Sequence, residues 1–193
     1  MPLTELIFIR HGVTDWNREQ RFQGGTDISL NAEGRDQARL TAERLKALPL
    51  VAVYCSDLSR ARQTAEPIAQ ALGLGVSVEP ALRERGFGSF EGLTHEELKR
   101  EHPQAYARWQ QRDLSYQMPG GGESLAELRG RVLAQMQVLA RRHPGQMVAA
   151  VTHGGVLDAV YRISAGLEVD APRNFELRNA SINRVGWDGE RFS

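Results

Sequence analysis

The sequence predicts an α/β fold, a three-layer α/β/α arrangement in which a mostly parallel sheet is covered by helices on both faces. Three observations carry it. Short apolar runs bounded by polar residues, at Leu6–Ile9, Val51–Tyr54 and Met147–Thr152, have the character of strands buried on both faces. Between them, apolar residues recur at helical spacing. The two kinds of segment alternate along the chain, as crossover-linked parallel strands require.

Leu6–Ile9 is the first strand. A helix follows from Asn31, with Ala38, Ala42 and Leu45 on one face and Pro49 as its stop. Val51–Tyr54 forms the second strand, and a helix from about Ser59 places Ala61, Ala65, Ile68, Ala69 and Leu72 together before a Gly73 exit. Pro67 lies inside that pattern and predicts a kink or one lost backbone bond. Val76–Glu79 is a third strand, and LRERGFGSFEG after it reads as a glycine-punctuated loop. Thr94 with Glu97, and Ser124 with Glu127, have capping-box spacing, so each opens a helix. The second of these carries Leu125, Leu128, Val132, Met136 and Leu139 on one face, places Arg141 and Arg142 in its last turn and stops at Pro144-Gly145. Met147–Thr152, Gly155–Ala165 and Ile182–Trp187 complete the order as strand, helix and strand. With no repeat or linker, residues 1–193 are expected to form a single domain.

Composition narrows the function. Lys plus Arg number 24 and Asp plus Glu 24, so the zero net charge favours neither nucleic acid nor a membrane surface, and any positive site must be local. The one cysteine, Cys55, has no intramolecular partner, which fits a reducing, cytoplasmic setting. The start MPLTELIFIRHG has no signal-peptide pattern, and no stretch has the length of a membrane span. A soluble protein is expected.

In open α/β sheets ligands bind beyond the carboxyl ends of the strands. Here those ends carry Arg10-His11-Gly12, Ser56-Asp57 leading to Arg60, the approach to Glu84, and His153-Gly154-Gly155. Two arginines present planar forks that match phosphate oxygens. A neutral imidazole is a competent nucleophile, and a neighbouring guanidinium keeps it neutral, which suits His11 beside Arg10. The glycines after each histidine are expected to let a substrate or a backbone N–H approach the reacting phosphorus closely. Glu84 is placed to protonate a leaving group and later take a proton from water. Two histidines and a carboxylate also describe an open metal site, but Arg10 and Arg60 would repel a divalent cation. No metal or other cofactor is expected.

The blocks LIFIRHGVTDWNREQRFQGGTDISLNAEGRDQA, SDLSRARQTAEPIA, LRERGFGSFEGLT, PGGGES and VTHGGV resemble the histidine phosphatase superfamily in its phosphoglycerate-mutase-like branch. The resemblance spans nearly the whole chain. It implies a phosphoglycerate-mutase-like fold with one strand antiparallel to the rest. It also implies that His11 is phosphorylated, that Arg10, Arg60 and His153 hold the phosphoryl group, and that Glu84 is the proton donor. Asn17, Gln23 and Gly24 match positions lining the phosphate site, and Gly154 is carried with His153 as a substrate contact. Val13 departs from the family, where many members have Glu. The chain stops soon after Trp187, where relatives often continue, so some C-terminal contacts are expected to be missing.

Hydrolysis of a small phosphomonoester is favoured over mutase chemistry. Only 26 residues separate Gly92 from Pro119, where the mutases carry a longer segment with bases that grip a carboxylate. The bases present, Lys99, Arg100, Arg108 and Arg112, suit a solvated helix face, while Arg85 matches a basic residue of the mutases. His95, His102 and His143 are expected to be solvated, and Trp16, Trp109 and Trp187 to be core or site-wall residues.

Overall fold

The structure, a computed structural model, describes residues 3–193. The reading of the N-terminus includes Met1 and Pro2, which lie outside the described residues. Five strands form one sheet: β1 (Thr4–Arg10), β2 (Leu50–Cys55), β3 (Val76–Val78), β4 (Met147–Thr152) and β5 (Ile182–Trp187), in the order β3-β2-β4-β1-β5. The pairs β2·β3, β2·β4 and β1·β4 are parallel, and β5 runs antiparallel to β1. That antiparallel edge alternates, with Val185 and Trp187 buried while Ile182 and Arg184 are exposed.

The alternation of β1 explains the layers. Leu6 and Phe8 project into one core, where Val132 and Met136 of α6 (Leu125–Arg142) and Val156 and Val160 of α7 (Gly154–Ala165) meet them. Ile7 and Ile9 project to the other face, against Ala42 and Leu45 of α2 (Ala32–Leu45) and Ala61, Ala65 and Ile68 of α3 (Ser59–Leu72). Both capping boxes form, Thr94 opening α4 (His95–Glu101) and Ser124 opening α6, and Asn31 caps α2. Gly73 ends α3 in the left-handed conformation.

Some expectations need adjustment. Val51 is 42% exposed, because the β2·β4 register shifts between Leu50 and Ala52 at the strand's entrance. The third strand ends at Val78, one residue early, while α3 contains Pro67 and continues to Leu72 as expected, without the bond that proline's missing N–H cannot make. Two helices were not anticipated: α1 (Asp15–Arg18), a single capped turn, and α5 (Pro103–Gln110), which begins with Pro at its first position. Tyr106 of α5, with Phe22, Phe90, Leu98 of α4 and Met118, builds a third, smaller core beneath the loops beyond the sheet. His95 belongs to it, half-buried with Nδ1 3.0 Å from the Tyr106 hydroxyl and its ring against Phe22, so it is not a solvated side chain. His143 is also engaged, 2.7 Å from the Tyr54 hydroxyl. Trp187 is core, and Trp109 packs on the third cluster.

No helix of the described residues is long and apolar enough to cross a membrane.

Candidate active site

Register brings the two histidines together. Arg10 pairs with Thr152 across β1 and β4, so His11 and His153 leave the sheet side by side. The His11 N–H donates to Thr152 O at 3.0 Å, and the ring centroids stand 5.1 Å apart. His11 is 2% exposed and His153 is 0% exposed.

The His11 ring is oriented by its own backbone. Nδ1 is 2.7 Å from Gly12 O, an acceptor only, so Nδ1 carries the proton and Nε2 the lone pair. Among the described residues Nε2 has no hydrogen-bond partner. Burial holds the imidazolium form of His11 well below the usual histidine range, and the charges of Arg60 and Arg10 push in the same direction. His153 is lowered by burial, then by Arg60 and His11. Its Nε2 lies 2.7 Å from Ser56 Oγ, and Arg60 Nε donates to its Nδ1 at 3.3 Å. Both rings are neutral at physiological pH.

The arginines differ. Arg60, 0% exposed, rises from the first turn of α3 and donates to Gly24 O and Thr26 O, each at 2.8 Å, so it braces the loop that carries Gln23 and Gly24. Arg10 donates to Leu177 O, and its Nε is buried without a partner among the described residues. A buried donor of that kind matches the oxygen of an anion. Burial lowers the Arg10 pKa from its ordinary value, and the Glu84 charge opposes that effect.

Glu84 sits where the N-terminus of α7 meets the loop after β3. Its carboxylate accepts from Gly155 N at 3.0 Å and Arg85 N at 2.8 Å. Neither flanking arginine pairs with it, because Arg83 forks onto Asp57 and Arg85 Nε donates to Glu123 O. Arg85 is 5% exposed, and its two terminal nitrogens have no partner among the described residues. Burial brings its pKa down to about 10.

The glycines also serve the packing around the site. A Cβ on Gly12 would lie 2.4 Å from Gly34 O of α2, one on Gly155 would lie 2.5 Å from Glu84 Oε1, and one on Gly154 would touch the Arg10 guanidinium at 3.5 Å. Gly12 and Gly155 thus make room for a helix and for the Glu84 carboxylate, while Gly154 leaves the Arg10 guanidinium at ordinary contact distance. Gly24 does require its identity twice, by a φ of +52° and by a Cβ that would fall 2.0 Å from Glu91 Oε1.

Asn17 closes the cap of α1, its Oδ1 accepting from Thr14 N at 3.0 Å, and Thr14 Oγ1 donates to Gln23 Oε1 at 3.0 Å. Three positioning residues escaped sequence reading. Asn179 Nδ2 donates to His11 O at 3.0 Å and to Asn17 Oδ1 at 3.2 Å. Thr64 accepts from Gly12 N at 3.0 Å. Glu91 accepts from Gly25 N, Thr26 N and Phe87 N, tying two site loops together. Thr64 and Glu91 lie inside the blocks SDLSRARQTAEPIA and LRERGFGSFEGLT without a role of their own there, and Asn179 lies in none of the blocks.

Arg112 is not on a solvated face. It is half-buried at φ +55°, with NH2 donating to Asp158 Oδ2 at 2.7 Å and Nε to Val169 O at 2.9 Å. Among the described residues no three His, Cys, Asp or Glu side chains stand where they would hold a metal ion.

The model of the histidine phosphatase superfamily (branch 1) matches residues 6–193. The chain belongs to this family. It is 41% identical over 186 residues to a metal-independent phosphoserine phosphatase of Arabidopsis thaliana, covering 95% of this chain and 76% of that protein. It is 38% identical over 192 residues to phosphoglycerate mutase-like protein 4 of the same plant, covering 98% and 82%. The solved structure of a mycobacterial glucosyl-3-phosphoglycerate phosphatase in complex with VO3 superposes with a TM-score of 0.86 at 33% identity, covering 97% of this chain and 94% of that one. A phosphomonoester hydrolase with a phosphoglycerate-mutase-like fold agrees with the family model and with the likeness to the two phosphatases.

Proposed function

We propose that this histidine phosphatase hydrolyses small phosphomonoesters through a phosphohistidine on His11, with Glu84 moving the proton, as one domain that needs no metal or other cofactor. The observation that carries the reading is the His11 ring. It is buried, kept neutral, and held through Nδ1 by Gly12 O so that Nε2 keeps its lone pair, with the His153 ring beside it and the charges of Arg60 and Arg10 acting on it. In the first step Nε2 attacks phosphorus, the bond from phosphorus to the ester oxygen breaks, and Glu84 gives its proton to the departing alkoxide. Arg10 Nε takes a phosphoryl oxygen, and the Gly12 carbonyl steadies the positive charge that the ring acquires. Asn17, Gln23, Gly24 and Gly154 line this phosphoryl site, with Arg60 and His153 behind it. In the second step water attacks phosphorus, its proton passes to Glu84, and the Nε2–phosphorus bond breaks, releasing phosphate.

Arg85 narrows the substrate class. A cation withdrawn from water, with both terminal nitrogens unused and Glu84 beside it, suits an acid group close to the ester oxygen. Phosphorylated hydroxy acids and phosphoserine meet that requirement. Hydrolysis is favoured over isomerisation, because the other bases of the 93–118 segment are committed elsewhere: Lys99 to Glu96, Arg100 to Glu101, Arg108 to Asp113 and Arg112 to Asp158. A reducing cytoplasm suits the lone buried Cys55. The test is a panel of phosphomonoesters scored for both released phosphate and isomerised product. Phosphate from 3-phosphoglycerate without a bisphosphoglycerate requirement is the expected result; rapid interconversion of 2- and 3-phosphoglycerate with little phosphate released establishes a mutase instead.

A further inference from the structure

Ser56 has no step in the phosphoryl transfer, yet it is fully buried and bonds a histidine of the site. Its place follows from register. Cys55 pairs with Val151 across β2 and β4, and the Ser56 N–H donates to Val151 O at 3.2 Å, so the residue after β2 is set against the chain that leads to His153. Ser56 Oγ lies 2.7 Å from His153 Nε2, and the Leu58 N–H approaches the same oxygen at 3.4 Å from the turn into α3.

The direction of these bonds is forced. A guanidinium has donors and no acceptor, so Arg60 Nε can meet His153 Nδ1 only if that nitrogen carries a lone pair. The neutral ring then has its proton on Nε2 and donates it to Ser56 Oγ. Donors and acceptors thus run one way, from Arg60 through the imidazole to the hydroxyl. His11 has the opposite tautomer, with Nδ1 protonated against Gly12 O, so two rings only 5.1 Å apart are set differently by different partners. Arg60 depends on this chain, because its other nitrogens hold the backbone oxygens of Gly24 and Thr26, and His153 is its one side-chain hydrogen-bond partner among the described residues. Removing the Ser56 hydroxyl leaves a buried N–H without an acceptor. The ring escapes that deficit by turning, or by moving its proton to Nδ1, where it faces the Arg60 donor. Either change releases Arg60 Nε and shifts the guanidinium charge relative to the phosphoryl group.

We propose that Ser56 is a positioning residue: by accepting from His153 Nε2 it fixes the tautomer of that ring and, through the ring, the place of the Arg60 guanidinium. The proposal rests on the reading of Arg60 as a support of the phosphoryl group. Because it concerns the phosphoryl group and not the departing alcohol, the effect of Ser56 is independent of the leaving group, unlike that of Glu84. The test compares Ser56→Thr with Ser56→Val, which add similar bulk and differ in the hydroxyl, and with Ser56→Ala, which adds none. In 15N spectra of the histidine rings, with His153 assigned through its backbone, the wild type is expected to show a protonated Nε2 and a bare Nδ1. Ser56→Thr keeps that pattern, and Ser56→Val and Ser56→Ala lose it. In the last two, kcat/KM is expected to fall about tenfold or more, by the same factor for p-nitrophenyl phosphate and for 3-phosphoglycerate, while Ser56→Thr recovers most of the loss. A wild-type His153 protonated at Nδ1, a Ser56→Ala enzyme with unaltered tautomer and kinetics, a Ser56→Thr no better than Ser56→Val, or a loss confined to one kind of leaving group overturns the proposal. Absence of wild-type turnover on every ester overturns the phosphatase reading instead, and the wild-type spectrum then still decides whether Ser56 sets the ring.

Discussion

His11 and Glu84 have different roles, one taking the phosphoryl group and the other moving the proton, and substitutions should separate them. Glu84→Gln keeps the acceptor for Gly155 N but has no titratable proton to give. Alkyl phosphates, whose alkoxides leave poorly, should lose about a hundredfold to ten-thousandfold in kcat/KM, and aryl phosphates far less. Equal losses on both would contradict the assignment. The buried histidines also set a pH dependence of stability. For His11 and His153 the folded-state pKa lies well below the unfolded value of about 6.5, so the unfolded chain binds more protons as pH falls through that window. Stability is therefore full above pH 6.5 and declines on acidification, by up to about 1.4 kcal/mol per pH unit for each histidine. The midpoint of thermal unfolding should drop between pH 7.5 and 5.5; a flat profile there would mean that the rings are not held neutral. The motif types and their places at strand ends made His11, His153, Arg10, Arg60 and Glu84 legible from sequence. Asn179 and Thr64 were not legible, because an amide or hydroxyl bonding a backbone carbonyl or N–H far along the chain leaves no local pattern.

At the scale of elements, the site depends on how helices are set against the strand ends. The first turn of α2 is pressed onto the chain just past His11, since a Cβ on Gly34 would stand 2.1 Å from Val13 O. Gly34→Ala, which touches no substrate, should cost about 1–3 kcal/mol of stability and at least about tenfold in kcat by displacing His11; wild-type kinetics in this variant would show that the contact yields. On α7, Asp158 gathers Arg112, Arg162 and Arg173, binding the connector after α5 and the segment after α7 to the helix that holds Glu84. Asp158→Asn leaves buried Arg162 short of its counter-ion and should cost about 3–5 kcal/mol, read by denaturant unfolding. This bracket was hidden from sequence reading because a half-buried arginine in the left-handed region looks, by spacing alone, like one more base on a solvated helix. By contrast, α2, α3, α6 and α7 were legible from twelve or more residues of amphipathic period, with side-chain caps opening α2 and α6 and a glycine closing α3, whereas α5 has only eight residues, buries only Tyr106 and docks on the third core through long-range contacts.

For the whole molecule, three layers follow from strands apolar on both faces alternating with one-sided helices, which is why the architecture was readable from the chain. The antiparallel β5 was not, since a strand's direction leaves no mark in its own period; only the family resemblance implied it. The charge pattern is also a property of the whole site: Arg10, Arg60 and two neutral histidines favour a phosphoryl group and repel a divalent cation. Turnover should persist after exhaustive chelation and be blocked by vanadate, and loss with chelator that a divalent ion restores would overturn the metal-independent account. The central claim is that phosphorus is bonded to His11 during turnover. The most direct measurement is to quench the enzyme in denaturant during reaction with a 32P-labelled phosphomonoester and locate the label. The account predicts a stoichiometric, acid-labile and base-stable phosphoenzyme on the peptide containing His11, absent from His11→Ala with every substrate; a His11→Ala enzyme that still becomes labelled, or a wild-type enzyme that turns over without labelling, would contradict it.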